Sequence, residues 1–124
     1  MLCGKHEYKE NPMIELRDTL RKFVAERDWD QFHSPKNLAM ALSVEASELL
    51  EHFQWLTEAD SRRLPPEKLA QVRDEMADVL VYLVRLADKL DVDLLDAAAK
   101  KIEKNALKYP ADKVRGSMKK YSDY

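Results

Sequence analysis

Val79-Leu80-Val81-Tyr82-Leu83-Val84 is the stretch on which the fold turns. Taken alone, six residues so rich in β-branched and aromatic side chains read as a strand. The flanking residues decide otherwise. Leu69, Val72, Met76, Val79, Leu83, Leu86 and Leu90 recur at spacings of three and four, the period of an amphipathic helix. The pattern lasts about 24 residues, too long for a strand, so length arbitrates for helix. It begins after Pro65-Pro66 and continues to about Leu90.

The same period appears on both sides. Met13–Glu26 carries Leu16, Leu20, Phe23 and Val24 on one side. Ser34-Pro35 looks like an N-cap followed by a first-turn proline. It opens a second helix, predicted to reach Thr57, with the stripe Leu38, Leu42, Leu49, Phe53 and Leu56. Asp93 can cap a fourth helix, bearing Leu94, Leu95, Ala98, Ile102 and Leu107 and ending before Pro110. Only two glycines and five prolines are present, and none interrupts these stretches. So few turn residues leave little room for hairpins. The expected architecture is all-α: a four-helix bundle, with the second and third helices as an antiparallel pair. Residues 1–12 read as an extension, 13–109 as the helical domain and 110–124 as a basic tail.

A chain of 124 residues is the size of one domain. Hydrophobic residues make up 45%, which argues against global disorder. A net charge of −2 gives no general case for nucleic acid or an anionic membrane as partner. The charge is uneven: residues 100–120 hold eight Lys or Arg against Glu103 and Asp112, leaving the rest acidic. The single cysteine, Cys3, excludes an internal disulfide and a cysteine-based zinc site, in keeping with a cytoplasmic setting. The most apolar run, Met76–Ala87, contains Asp78 and Arg85 and is too short to span a bilayer.

Two acidic pairs carry the chemistry: Glu45-x-x-Glu48 on the second helix and Glu75-x-x-Asp78 on the third. A spacing of three puts both members of a pair on one helical face, here on the flank of the apolar stripe. Carboxylates at the edge of a core are costly unless neutralised, bonded or bound to metal. If the stripes meet, four oxygen ligands converge, a set suited to Mg2+ or Mn2+. Single ExxE patterns are common on exposed helices, so the signal lies in having two. A di-iron carboxylate site wants Glu-x-x-His, and the residue three before His52 is Leu49, which argues against iron.

Two further clusters stand near the element ends. Trp29, Phe32, His33 and Trp55 can plug a core or stack on a flat base. Lys101, Lys104, Asn105, Lys108 and Tyr109 lie along the last helix and at its end. Such lysines are usually solvated, but beside a metal site they can hold phosphates.

Together these segments resemble the MazG-like nucleotide pyrophosphohydrolases, and more narrowly their dCTP pyrophosphatase branch. The resemblance is carried by the run Arg27-Asp28-Trp29-Asp30-Gln31-Phe32-His33, by Glu45-x-x-Glu48 with Phe53-Gln54-Trp55, by Glu75-x-x-Asp78 with Tyr82, and by Asn105-x-x-Lys108-Tyr109-Pro110. It implies that Glu45, Glu48, Glu75 and Asp78 bind Mg2+. It implies that Trp29, Trp55, Tyr82 and Asn105 border the base and sugar, with Tyr109 and nearby cations toward the phosphates. It also implies a homodimer or a dimer of dimers, with each site built from more than one subunit. Two positions depart from the wider pattern. Val44 precedes the first ligand where many members have an acid. Leu20 stands where mammalian members have a histidine bordering the base.

The resulting expectation is hydrolysis of a (deoxy)nucleoside triphosphate to the monophosphate and pyrophosphate. Glu45 or Glu48 would orient the attacking water, His33 would join the substrate-binding group, and lysines of the last helix would offset leaving-group charge. The competing expectation is a non-enzymatic all-α oligomer whose acidic helices bind a basic partner. A third is release of orthophosphate instead of pyrophosphate.

Overall fold

The computed structural model describes residues 11–118. Cys3, most of the expected N-terminal extension, and Lys119 and Lys120 of the basic tail lie outside the described residues. Among the described residues there are six α-helices, one 3-10 turn and no strand. The four long helices are α1 (Pro12–Glu26), α2 (Pro35–Glu51), α4 (Pro66–Lys89) and α5 (Leu94–Lys108). Two single-turn helices, α3 (Glu58–Ser61) and α6 (Ala111–Val114), and the 3-10 turn Asp30–Phe32 complete the order. The strand-like run at 79–84 lies inside α4, as the longer period requires.

Local chemistry explains the starts. Side-chain oxygens of Asn11, Ser34, Thr57 and Asp93 accept from backbone N–H groups of Met13, Asn37, Asp60 and Asp96 at 3.0–3.2 Å. Each satisfies a donor that the first helical turn leaves without a partner. Pro12, Pro35 and Pro66 occupy first-turn positions, where no N–H is missed.

One end differs from expectation. The second helix stops at Glu51, not near Thr57. His52 and Phe53 donate three residues back, to Leu49 and Leu50, tightening the final turn. Thr57 caps α3 from an extended conformation with ψ 164°, so the chain must leave the α-region before it. Trp55 therefore stands on a turn and is 87% exposed.

Residues up to Asp91 form one unit and those from Val92 a second. In the first, α4 packs against α2 and α1. The pair α2/α4 is antiparallel: His33 meets Arg85, and His52 lies beside Glu75. Val24, Leu38, Val84 and Ala87 are buried where α1 and α2 share the end of α4, and Val72 is buried further along it. Leu38 is only 1% exposed, and its burial contributes roughly 2 kcal/mol. Leu69, Met76 and Leu90 of the expected α4 stripe remain exposed. The second unit comprises α5, with Leu95, Ile102 and Leu107 exposed, and α6.

Candidate metal and nucleotide site

The antiparallel pairing brings the acids of α2 and α4 to one place. Glu45, Glu48 and Glu75 are half-buried, and each offers an oxygen within 4.8 Å of the others. Glu45 Oε2 and Glu75 Oε2 are shielded from water and have no hydrogen-bond partner. An unsatisfied buried carboxylate oxygen costs on the order of kilocalories. Burial first, then Glu48, Asp78 and Glu75, pushes the Glu45 carboxyl up to about 7. Asp78 is exposed and falls outside the three-oxygen group, although its charge acts on Glu45. Its side chain is one methylene shorter than that of glutamate.

These features fit a hard divalent cation. The donors are all oxygen, they repel one another, and two lack any other partner. Glu45, Glu48 and Glu75 would hold it, with Asp78 one turn along α4. His52 Nε2 lies 3.9 Å from Glu75 Oε1, beside the acids and not among them, so no Glu-x-x-His set is formed.

The connection after α1 is held by a second charged cluster. Arg85, on α4, is only 4% exposed. Its Nε donates to His33 Nδ1 at 3.3 Å, its Nη2 to Asp30 Oδ1 at 3.0 Å and its Nη1 to Asp88 Oδ2 at 3.4 Å. Lys89 Nζ donates to Asp30 Oδ1 at 2.6 Å. Arg21 of α1 donates to both oxygens of Asp88, through Nε at 2.8 Å and also through Nη2. Lys89 foremost holds Asp30 below the usual carboxylate range, and Arg21 foremost does so for Asp88. Burial, then the Arg85 charge, lowers the His33 pKa.

Trp29 sits just before the 3-10 turn. α1 ends with the Trp29 and Asp28 N–H groups bonded to Val24 and Ala25 carbonyls, and with Asp28 at φ 53°. This is a Schellman end with aspartate in the position that usually holds glycine. Trp29 meets Phe23 edge-on at 5.8 Å, and the Arg27 guanidinium covers Phe23 at 3.6 Å from the ring centre. The indole is thus oriented from one side and 45% exposed.

Of the expected site residues, Glu45, Glu48 and Glu75 are brought together. Tyr82 is half-buried one turn beyond Asp78. Lys101, Lys104, Asn105, Lys108 and Tyr109 are exposed on α5 and at its end, in the second unit. Arg85, Lys89, Asp30 and Asp88 were not anticipated. The available signal was Arg85, the lone cation in the apolar run Met76–Ala87. The groove lined by Leu56, Asp60, Arg63, Leu64, Pro65 and Lys68, about 370 Å³, contains none of the expected site residues.

A MazG-like family model matches residues 40–124, the segment that holds both acidic pairs. The chain belongs to the MazG-like family. Among relatives of this MazG-like chain, mouse dCTP pyrophosphatase 1 is 44% identical over 119 residues, covering 94% of this chain and 70% of its own length. The human dCTP pyrophosphatase 1 is 41% identical over 123 residues, with 97% and 72% covered. A crystal structure of a pyrophosphatase from Archaeoglobus fulgidus superposes with a TM-score of 0.76 at 42% identity, covering 86% of this chain and 99% of that one. The MazG-like fold and the pyrophosphohydrolase class therefore hold for this chain.

Proposed function

We propose that this chain is a Mg2+-dependent nucleoside triphosphate pyrophosphohydrolase that favours dCTP or a related or modified deoxynucleotide, with Mn2+ as an alternative metal. The observation that carries the reading is the group of three carboxylates on α2 and α4 with two unpartnered buried oxygens. The names and high identities of the relatives support the substrate class. A cation bound there would neutralise phosphate charge and acidify a water. The residues of the chain supply the rest. Glu45 or Glu48 orients a water toward the α-phosphorus and takes its proton. The new P–O bond forms as the bond from the α-phosphorus to the bridging oxygen breaks, and pyrophosphate leaves. Trp29, His33, Trp55 and Tyr82 are assigned to the nucleoside. Lys101, Lys104, Asn105, Lys108 and Tyr109 are assigned to sugar and phosphate affinity.

The working form is a homo-oligomer, dimer or tetramer. Met40 and Val44 on α2 and Met76 and Leu80 on α4 are 52%, 55%, 58% and 42% exposed. Apolar faces of this kind call for a partner surface, and closed symmetry makes a second copy the economical one. No helix among the described residues is long and apolar enough to cross a membrane. The proposed role is cytoplasmic clearing of surplus or non-standard deoxynucleotides.

The test is product analysis with a panel of dCTP, modified dCTP, dATP and dUTP. Pyrophosphate with Mg2+ and none with a chelator is the expected result. Orthophosphate as the first product would reject the class, and Glu45→Ala or Asp78→Ala with full turnover would reject the site.

A further inference from the structure

We propose that Arg85 is a positioning residue that locks His33 as a neutral ring with its proton on Nε2, making it a donor to an uncharged oxygen of the nucleoside. The proposal rests on the assignment of His33 to the nucleotide made above. A guanidinium has no acceptor, so the contact from Arg85 Nε to His33 Nδ1 requires a bare nitrogen at Nδ1. The neutral ring must then carry its hydrogen at Nε2.

Arg85 cannot easily give up this role. It is 4% exposed, and its other nitrogens are engaged by Asp30 and Asp88. Asp30 is also held by Lys89, and Asp88 by Arg21. The guanidinium is therefore fixed from α1, from α4 and from the connection itself. The charged groups around His33 are Asp30 on its own segment and Arg85 and Lys89 from α4, with Asp88 and Arg21 behind Arg85. The two nearest cations outnumber the one nearest acid, and burial also disfavours a charged ring.

The location selects the part of the nucleotide. Arg85 lies seven residues beyond Asp78 and ten beyond Glu75 on one helix, which is about 10–15 Å along its axis. With phosphates at the carboxylates, a nucleoside directed toward Trp29, which the proposed function also assigns to it, comes to the His33 end of α4. A ring intended for phosphate gains from positive charge, whereas Arg85 and Lys89 oppose that charge.

The test uses the full chain labelled with 15N at histidine, read by NMR near neutral pH, together with steady-state kinetics on dCTP. His33 should show an unprotonated Nδ1 and a protonated Nε2. Arg85→Met should mix the tautomers and raise KM roughly fivefold with little change in kcat, the effect of one neutral hydrogen bond. Arg85→Lys, which restores a donor, should recover the tautomer and most of the KM. His33→Ala should weaken inhibition by dCMP by a similar factor and leave inhibition by pyrophosphate unchanged.

A cationic or Nδ1-protonated His33 overturns the proposal, as does an Arg85→Met protein with wild-type tautomer and KM. A locked tautomer together with an unaltered KM in His33→Ala overturns the donor role and places the fault in the assignment of His33 to the nucleotide. The NMR signature is read without turnover, so it decides the Arg85–His33 pairing even if no triphosphate is cleaved.

Discussion

α4 carries two charged clusters about three turns apart, and they are built in opposite ways. At Arg85, Asp30 and Asp88 are each matched by cations, and the buried guanidinium is bonded on three sides. At Glu75, three carboxylates crowd together and two of their buried oxygens have no partner. A protein that satisfies acids so fully near the C-terminal end of α4 leaves them unsatisfied at its middle. By that difference the Arg85 cluster reads as a clamp on the fold, and the Glu75 cluster as the proposed ligand site.

The largest expected effect comes from breaking the incomplete cluster. Glu75→Ala should reduce pyrophosphate release more than about a hundredfold, since even outer-shell partners of a metal are worth up to that factor. The metal-free variant should melt no lower than wild type, because a repelling, unpartnered oxygen is removed. A lower melting temperature with turnover intact would invert the comparison.

Breaking the complete cluster should do the reverse. Asp88→Ala frees the Arg21 guanidinium and removes one of three acceptors from buried Arg85. Urea denaturation should show a loss of about 2 kcal/mol, less than for a fully orphaned buried charge because Asp30 remains. A loss below about 0.5 kcal/mol would class the network with exposed surface pairs.

The two clusters also predict pH limbs of opposite sign. Glu45 is raised to about 7 by burial foremost, so the folded chain keeps a proton that the unfolded chain has released. Stability of the metal-free protein should therefore fall as pH rises from the ordinary glutamate range through that value. Asp88 is lowered by Arg21 foremost. Its contribution is present above the ordinary aspartate value and is lost as pH falls through its lower folded value. Melting temperatures across pH in a chelator should show both limbs, and Mg2+ should flatten the upper one alone. An upper limb indifferent to Mg2+ would separate the acids from metal binding.

The smallest effect concerns the backbone beyond the paired cluster. Asp91 follows α4 at φ 53°, where aspartate is tolerated and glycine is at ease. Asp91→Gly should stabilise the chain by about 0.5 kcal/mol in thermal melts, with relief of the left-handed conformation outweighing added freedom in the unfolded state.

The long helices were legible because their period persists far beyond any competing strand, as α4 shows. The end of α2 was not: residues 52–56 contain neither glycine nor proline, and the helix gives way at His52 and Phe53 to bonds three residues back, which no residue type marks. Asp28 and Asp91 were silent for the same reason, since each occupies a glycine-like conformation without being glycine. The carboxylate group was readable because spacing of three constrains both helices. The Arg85 network was not, because Asp30 and Arg21 reach α4 from distant parts of the chain, and no local spacing encodes that contact. Three of the four expected metal ligands share one tight group, and only a structure distinguishes Asp78 from Glu75 in this respect.

The early end of α2 gives the molecule an optical handle. Trp55 is almost bare to water on its turn, whereas Trp29 is half covered and set edge-on to Phe23. The two indoles should therefore differ in emission maximum and in quenching by iodide, with Trp55 the redder and more accessible. A Trp29→Phe chain would isolate Trp55, so that any surface or ligand covering that turn announces itself as a blue shift in a cuvette.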